Sequence, residues 1–209
     1  MPFCREFTLG KAVVAVWEIT ETAEELLLLS TVDYRSEAAS MGNGKRRAEW
    51  LAVRLLLARV CGKSARIVYD AAGKPLLVGC GGYISISHTR GYALLAYSKS
   101  VPIGVDVELA SRDATAAARR FLNEDFASAF HGGSKSRVLA YWCFCEALFK
   151  LVGNIGGTYK DNIIVHSFEL ETQGRAMLSV VGLSPEHERD YTAEYVNDGT
   201  LFIALCSEA

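Results

Sequence analysis

Residues 137–151 show the apolar period of an α-helix, and this pattern limits the fold more than any other part of the sequence. At about 100° per residue, one side of the helix is apolar. That side consists of Tyr141, Phe144, Ala147, Leu148 and Leu151. Trp142, Glu146 and Lys150 fall within a stripe roughly 80° wide on the opposite side. The segment therefore predicts a helix with an apolar side for packing and a second side that carries a carboxylate and a lysine.

Shorter apolar runs, rich in β-branched and aromatic residues, predict strands around this helix. The predicted strands are 11–19, 66–69, 83–87, 92–98, 163–169, 176–181, 191–196 and 201–206. Further helices are predicted at 21–29, 46–60, 114–121 and 123–130, with Gly62 as the C-cap of the second. We expect 83–87 and 92–98 to pair as a hairpin. Together these elements predict a mixed α/β chain of the α+β class, with Pro102 between its two halves.

Composition excludes several classes of protein. With 209 residues, 50% of them hydrophobic, the chain can bury the core of one domain or of two closely packed subdomains. Its net charge of -2 gives no general attraction to nucleic acid or to an anionic membrane. Anion binding would need a local cluster such as Lys45, Arg46 and Arg47, which is equally typical of a solvated helix start.

The cysteines and the N-terminus indicate where the protein works. The six cysteines show neither the paired spacing of a zinc site nor the density of a disulfide scaffold. The N-terminus lacks the pattern of a signal peptide, and residues 26–29 are too few to span a membrane. We therefore expect a cytoplasmic protein with free thiols, no membrane segment and no nucleic-acid partner.

Residues 102–108 read as a strand with two carboxylates among aliphatic side chains. Because side chains alternate along a strand, Asp106 and Glu108 share one face, and Val105 and Val107 take the other. The two acids stand about 6.6 Å apart, which at an effective dielectric of about 20 costs roughly 2.5 kcal/mol when both are ionised. A bound divalent cation would offset that repulsion, and hard oxygen ligands favour magnesium.

Both acidic patterns also have purely structural explanations. Asp106 and Glu108 would suit the solvated face of a half-buried strand. Glu146 and Lys150 would suit an ordinary exposed pair one helical turn apart. These alternatives stay open at the level of the isolated motifs.

Four blocks in a fixed order carry a resemblance to a known family. They are KRRAEWLAVR at 45–54, GKP at 73–75, ISHT at 86–89, and GVDVE at 104–108 followed by WCFCEALFK at 142–150. With these blocks the chain resembles the 4'-phosphopantetheinyl transferases, specifically the single-chain type that activates surfactin synthetase, and the likeness covers most of its length. It implies that family's fold: two similar α/β subdomains, 1–102 and 103–209, related by a pseudo-twofold with a cleft between them.

The resemblance also implies a reaction and a set of roles. The 4'-phosphopantetheine arm of coenzyme A would pass to a serine of an acyl- or peptidyl-carrier protein, with release of 3',5'-ADP. Asp106, Glu108 and Glu146 would hold Mg²⁺ against the pyrophosphate, and Lys150 would neutralise pyrophosphate charge. Either Glu146 or a water held by the metal would remove the serine proton. The residues matched to coenzyme A binding are Arg47, Lys74, Pro75, Ser87 and His88.

The same resemblance implies a cytoplasmic monomer that serves fatty acid, polyketide or nonribosomal peptide biosynthesis. Two other functions remain open. One is a catalytically impaired relative that binds coenzyme A or a carrier protein, and the other is a magnesium-dependent phosphohydrolase acting on small phosphate esters. His88 and its neighbours would also suit a turn without any ligand.

The chain departs from the family pattern at three points. Cys145 stands where the family usually has lysine, and the helical wheel predicts that this position flanks the metal site, about 100° from Glu146. We therefore expect a reduced rate or an altered carrier preference. Thr89 replaces a more common serine, and residues 151–157 follow the usual continuation only loosely.

Overall fold

Four strands of the first half of the chain form one antiparallel sheet. The computed structural model describes residues 4–122, 134–153, 157–182 and 188–209. The strands of this sheet are β1 (Cys4–Leu9), β2 (Ala12–Glu18), β5 (Tyr83–Thr89) and β6 (Tyr92–Ser98), in the order β1-β2-β6-β5. The predicted hairpin of 83–87 with 92–98 is confirmed, and its first strand continues through Thr89. A separate two-stranded sheet pairs β3 (Arg66–Tyr69) with β4 (Pro75–Val78).

Three helices accompany this sheet: α1 (Ala23–Leu29), α2 (Arg35–Ala39) and α3 (Gly44–Cys61). The start of α3 is capped by Asn43, whose side chain accepts from the amide of Lys45. Gly62 follows the end of α3 with a φ of 87°, which glycine adopts at little cost, so the predicted C-cap is confirmed. Apolar residues of α3 such as Leu51 and Leu56 are fully buried in one cluster with β2 and β6.

The second half of the chain likewise combines one long helix with an antiparallel sheet. The sheet has the order β7-β11-β10-β9-β8. Its strands are β7 (Gly104–Leu109), β8 (Ile163–Val165), β9 (Gln173–Val180), β10 (Asp190–Asn197) and β11 (Leu201–Glu208). The helices are α4 (Lys135–Val152) and the short α5 (Tyr159–Asn162), with a 3₁₀ helix at Thr115–Arg120. The helix predicted at 123–130 lies outside the described residues.

Helix α4 covers one face of the five-stranded sheet, as its apolar side predicts. Tyr141, Phe144 and Leu148 are fully buried, and they cluster with sheet residues that include Tyr195 and Phe202. The opposite side of α4, with Trp142, Glu146 and Lys150, is only partly buried. The helical wheel therefore predicted the orientation of α4 correctly.

Gly104 fixes how closely α4 approaches β7. A Cβ atom at this position would overlap the carbonyl oxygen of Ala147 and would stand 2.6 Å from the amide nitrogen of Leu151. Because side chains alternate along the strand, Asp106 and Glu108 point to the same face as this contact. The close packing thus brings the two carboxylates to the helix that carries Glu146 and Lys150.

The contacts divide the chain into two compact units, Met1–Val101 and Pro102–Ala209. Each unit has its own buried cluster. The architecture is mixed α and β with antiparallel sheets, which agrees with the predicted α+β class. No helix among the described residues has both the length and the apolar character needed to cross a membrane.

Candidate functional site

A buried ion pair joins the strand and helix motifs of the second unit. Lys150 Nζ donates to Asp106 Oδ1 at 2.8 Å and to the carbonyl oxygen of Val105 at 3.0 Å. Asp106 is only 5% exposed. Lys150 therefore pairs across to the strand, which makes the interpretation of Glu146 and Lys150 as an exposed helical pair wrong. The solvated-strand interpretation is also wrong, since Asp106 and Glu108 are both buried.

Glu108 pairs with a residue that the motifs did not identify. Arg112 Nη1 contacts Glu108 Oε1, and the guanidinium of Arg112 lies 5.5 Å from the ring centre of Trp142. Arg112 follows the end of β7, and its amide donates to the carbonyl of Leu109 at 2.8 Å. This turn brings Arg112 back beside the strand. The alternation of side chains along β7 does not predict that the chain turns back here. The sequence shows only that Arg112 lies four residues after Glu108.

Glu146 is half-buried on α4, close to Asp106. The hydroxyl of Tyr159 donates to Glu146 Oε1 at 3.1 Å. Burial raises the pKa of Glu146 first, and the neighbouring charge of Asp106 raises it further, while Lys150, Tyr159 and Arg112 act in the opposite direction. Asp106 and Glu146 thus lie close enough for their charges to repel. Tyr159 was not identified from sequence, because it lies beyond a glycine-rich segment with no periodic pattern.

The surroundings of these acids are largely apolar. The thiol of Cys143 hydrogen-bonds to Asp106, and burial together with that carboxylate raises the pKa of Cys143. Trp142 packs against Phe121 and Tyr159, and its ring centre lies 5.1 and 6.2 Å from theirs. Cys145 is 0% exposed, and it belongs to the hydrophobic cluster. Cys145 thus lies on the packed side of α4 and still interacts electrostatically with Glu146, and the expectation that position 145 flanks the metal site stays a prediction.

The three carboxylates fit a magnesium ion in ligand type and in charge. Carboxylate oxygens are the ligands that Mg²⁺ prefers, and the repulsion between Asp106 and Glu146 favours a cation between them. When all are ionised, three acids face two cations of the chain, Lys150 and Arg112, so one negative charge is left over. Within the described part of the chain, however, no group of three or more His, Cys, Asp or Glu side chains is arranged to hold a metal ion. The donor chemistry is present, but the three ligands are not assembled in this arrangement.

The predicted coenzyme-binding residues of the first unit lie on several elements. His88 is part of β5, opposite Ala93, and not in the turn where the sequence had indicated it. Its Nε2 accepts from Arg46 Nη1 at 2.6 Å, and its Nδ1 lies 3.7 Å from Glu49 Oε2. This geometry corresponds to a neutral imidazole protonated on Nδ1. Arg46 is thus the cation next to His88, whereas the motif match had assigned only Arg47.

Arg47 is held at the start of α3 by two acceptors. Its Nη1 donates to Glu24 Oε1 at 3.3 Å, and its Nη2 donates to the carbonyl of Met41 at 2.9 Å. Arg54 lies seven residues after Arg47 in α3 and is buried. The central carbon of its guanidinium lies 3.7 Å from the centre of the Trp50 ring. This burial and stacking indicate a structural role for Arg54.

Lys74 lies in the tight connection between β3 and β4. Asp70 Oδ1 accepts from the amides of Ala72 and Lys74 at 2.9 and 2.8 Å, which fixes the turn. Burial lowers the pKa of the Lys74 ammonium, and the nearby Asp70 opposes that effect. Pro75 opens β4 opposite Tyr69, and Ser87 is buried in β5.

Comparison of the chain with protein-family models and with curated proteins finds no match. The functional interpretation therefore depends on the motifs and on the geometry described above.

Proposed function

We propose that this protein transfers the 4'-phosphopantetheine arm of coenzyme A to a serine of an acyl- or peptidyl-carrier protein, as the family resemblance implies. The supporting observation is the joining of two separate motifs: the Asp106–Lys150 contact of 2.8 Å brings the strand block and the helix block together in a buried site. On this proposal the two units correspond to the subdomains of the phosphopantetheinyl transferase fold. The protein would work as a cytoplasmic monomer in fatty acid, polyketide or nonribosomal peptide biosynthesis.

In the proposed reaction Asp106, Glu108 and Glu146 would hold Mg²⁺. When bound, the ion would neutralise charge on the pyrophosphate of coenzyme A. Lys150 supplies a second cation, already held toward the acids by Asp106 and the carbonyl of Val105. Its ammonium would add to the neutralisation of the leaving 3',5'-ADP.

The raised pKa of Glu146 suits a proton acceptor. A carboxylate with a pKa nearer to neutrality is a better general base than an ordinary one. Glu146 would take the proton of the carrier serine hydroxyl, while the hydrogen bond from Tyr159 keeps the carboxylate oriented. In the first unit, Arg46 joins Arg47, Lys74, Ser87 and His88 as a candidate for the phosphate and adenine end of coenzyme A.

One observation favours a second candidate, a relative that binds coenzyme A or a carrier without transferring the arm. Lys150 and Arg112 already pair with Asp106 and Glu108, so both acids are compensated by cations of the chain itself. Such a site is electrostatically satisfied to a large extent without a metal ion. This candidate predicts binding of coenzyme A with no covalent product.

The experiment is an incubation of the protein with coenzyme A, MgCl₂ and an apo-carrier, followed by intact-mass measurement of the carrier. Transfer adds one phosphopantetheine group to the carrier serine, and a carrier with that serine changed to alanine is the control. Coenzyme A binding in calorimetry without any mass gain would support the second candidate. Hydrolysis of small phosphate esters without a carrier would instead support a phosphohydrolase.

A further inference from the structure

Two half-buried cysteines of the first unit lie side by side in a part of the fold that the proposed function does not use. Cys61 is the last residue of α3, and Cys80 lies in the loop between β4 and β5. Both are free, and both pack against the same hydrophobic cluster. Their sulfurs are near enough to interact, because Cys80 is one of the groups that raise the pKa of Cys61.

The backbone holds the two cysteine-bearing loops together. A Cβ atom at Gly79 would stand 2.6 Å from the carbonyl oxygen of Ser64, so only glycine permits this approach. Gly79 has a φ of 80°, which other residues rarely adopt. This position therefore requires glycine both for its backbone conformation and for its lack of a side chain. The next residue pair, Arg66 and Val78, is in register between β3 and β4. The backbone segments that carry Cys61 and Cys80 are therefore held close together by the fold.

Tyr97 contacts the loop that carries Cys80. Its hydroxyl donates to the carbonyl of Gly81 at 2.9 Å and lies 3.9 Å from Cys80 Sγ. The Cys80 thiol donates to the same Gly81 carbonyl at 3.6 Å. Tyr97 thus keeps the Cys80 sulfur at the place where it meets Cys61.

We propose that Cys61 and Cys80 are a peroxide-sensitive dithiol, which closes to an intramolecular disulfide under oxidation. The reaction has two steps. The Cys80 thiolate attacks hydrogen peroxide, which breaks the O–O bond and gives a sulfenic acid and, after protonation of the leaving hydroxide, water. The Cys61 sulfur then attacks the sulfenic sulfur, loses its proton and releases a second water. In total, two thiols are oxidised and one peroxide is reduced to two waters.

The order of the two steps follows from the environment of Cys61. Burial and the adjacent Cys80 sulfur raise the pKa of the Cys61 thiol to about 12, so Cys61 holds its proton and is a poor first nucleophile. Cys80 is then the sulfur that reacts first, and Cys61 resolves the sulfenic acid. The disulfide would tie the end of α3 to the loop that leads into β5 and would enclose the β3–β4 hairpin.

Peptide mapping tests this assignment on the full-length protein. The reduced protein is treated with hydrogen peroxide, alkylated under denaturing conditions and digested with trypsin. We expect residues 60–63 to be linked to residues 67–90, with two hydrogen masses lost and the link reversed by dithiothreitol. The buried neighbours Cys145 and Cys206 are the internal control, because they should be recovered as alkylated thiols.

Two matched variants separate the roles of the sulfurs. Cys61→Ser should accumulate a dimedone-reactive sulfenic acid at Cys80, whereas Cys80→Ser should leave Cys61 largely unmodified. Oxidation should raise the midpoint of thermal unfolding of the wild type and of neither variant. The proposal would be overturned by oxidation of both cysteines without a link, by a link only between chains, or by no reaction at either thiol. The result does not depend on phosphopantetheinyl transfer.

Discussion

At the scale of single residues, Glu146 is the proposed general base, and its ionised carboxylate lowers the stability of the fold. Its ordinary pKa of 4.5 is raised in the folded protein by burial and by Asp106. The folded state therefore holds a proton that the unfolded chain has already lost, and stability decreases as the pH rises above 4.5 through the raised folded value. The ionised carboxylate thus works against folding at neutral pH.

Glu146→Gln should separate these two effects. The amide keeps an oxygen to accept from Tyr159 but carries no charge, so we expect a larger free energy of unfolding than wild type at pH 7. The difference should disappear at a pH below the unfolded pKa, where wild-type Glu146 is also neutral. Phosphopantetheine transfer should fall by about 10²–10⁴-fold if Glu146 is the base. Urea unfolding at both pH values and a transfer assay measure the two parts; near-normal transfer would contradict the site assignment.

Arg47 allows a paired test of coenzyme binding. Arg47→Ala removes the guanidinium and should weaken coenzyme A binding about tenfold or more, since a hydrogen bond to a charged group contributes about 1.5–3 kcal/mol. Glu24→Gln is the matched variant: it removes the acid that competes for Arg47, while the contact with Met41 remains. We expect it to bind coenzyme A as tightly as wild type or more tightly. Calorimetry measures the affinity of each variant for coenzyme A. An equal loss of affinity in both variants would show that Arg47 supports the fold and does not contact the ligand.

At the scale of elements, the contact between α4 and β7 is the feature on which the acidic site depends. Gly104→Ala would insert a methyl group against the backbone of Ala147 and Leu151, which cannot move without shifting the whole helix. We expect a loss of stability of about 1–3 kcal/mol or more and a disturbed Asp106–Lys150 pair. Gly44→Ala is the control, because a Cβ there meets nothing within 4 Å and lies at the start of a helix. Thermal unfolding of both variants tests the prediction, and an unchanged Gly104→Ala midpoint would contradict it.

The elements themselves were largely predictable from local patterns. The apolar side of α4 and the β5–β6 hairpin follow from side-chain period, and the end of α3 follows from Gly62. Helix α3 begins at Gly44, two residues before the predicted start. The strand β1 and the short helix α2 were not predicted, because neither has a long apolar run. The position of His88 within β5 was missed for a similar reason: a polar residue near a strand end looks like part of the turn.

The pairings within the site were less predictable than its members. The sequence indicated Asp106, Glu108, Glu146 and Lys150, but not that Lys150 would contact Asp106. Arg112 reaches the site from a turn, and Tyr159 reaches it from a short helix. Such short segments have no repeating apolar pattern that would predict which side chain faces the site. Cys145 is one step of the helical wheel from Glu146, and its side chain is buried in the core.

At the scale of the whole molecule, positive and negative charges nearly cancel, whereas recognition of an acidic carrier requires a local excess of positive charge. A net charge of -2 gives no long-range attraction to an acidic carrier, so any electrostatic steering must come from clusters such as Lys45, Arg46 and Arg47. Both units repeat one construction, an 18-residue helix on an antiparallel sheet, and both present cations at that helix. Local clusters of this kind act over about one Debye length, roughly 10 Å at 0.1 M salt.

We therefore expect carrier recognition to weaken as salt is added. Raising NaCl from about 0.05 to about 0.5 M shortens the screening length severalfold, so the KM for the carrier should increase while kcat at saturating carrier changes much less. Exposed charges act mainly on association, which is why the effect should appear in kcat/KM. Sucrose at matched viscosity controls for slower diffusion. A KM for the carrier that stays constant over the salt range would exclude a mainly electrostatic contact and would shift carrier recognition to apolar surface.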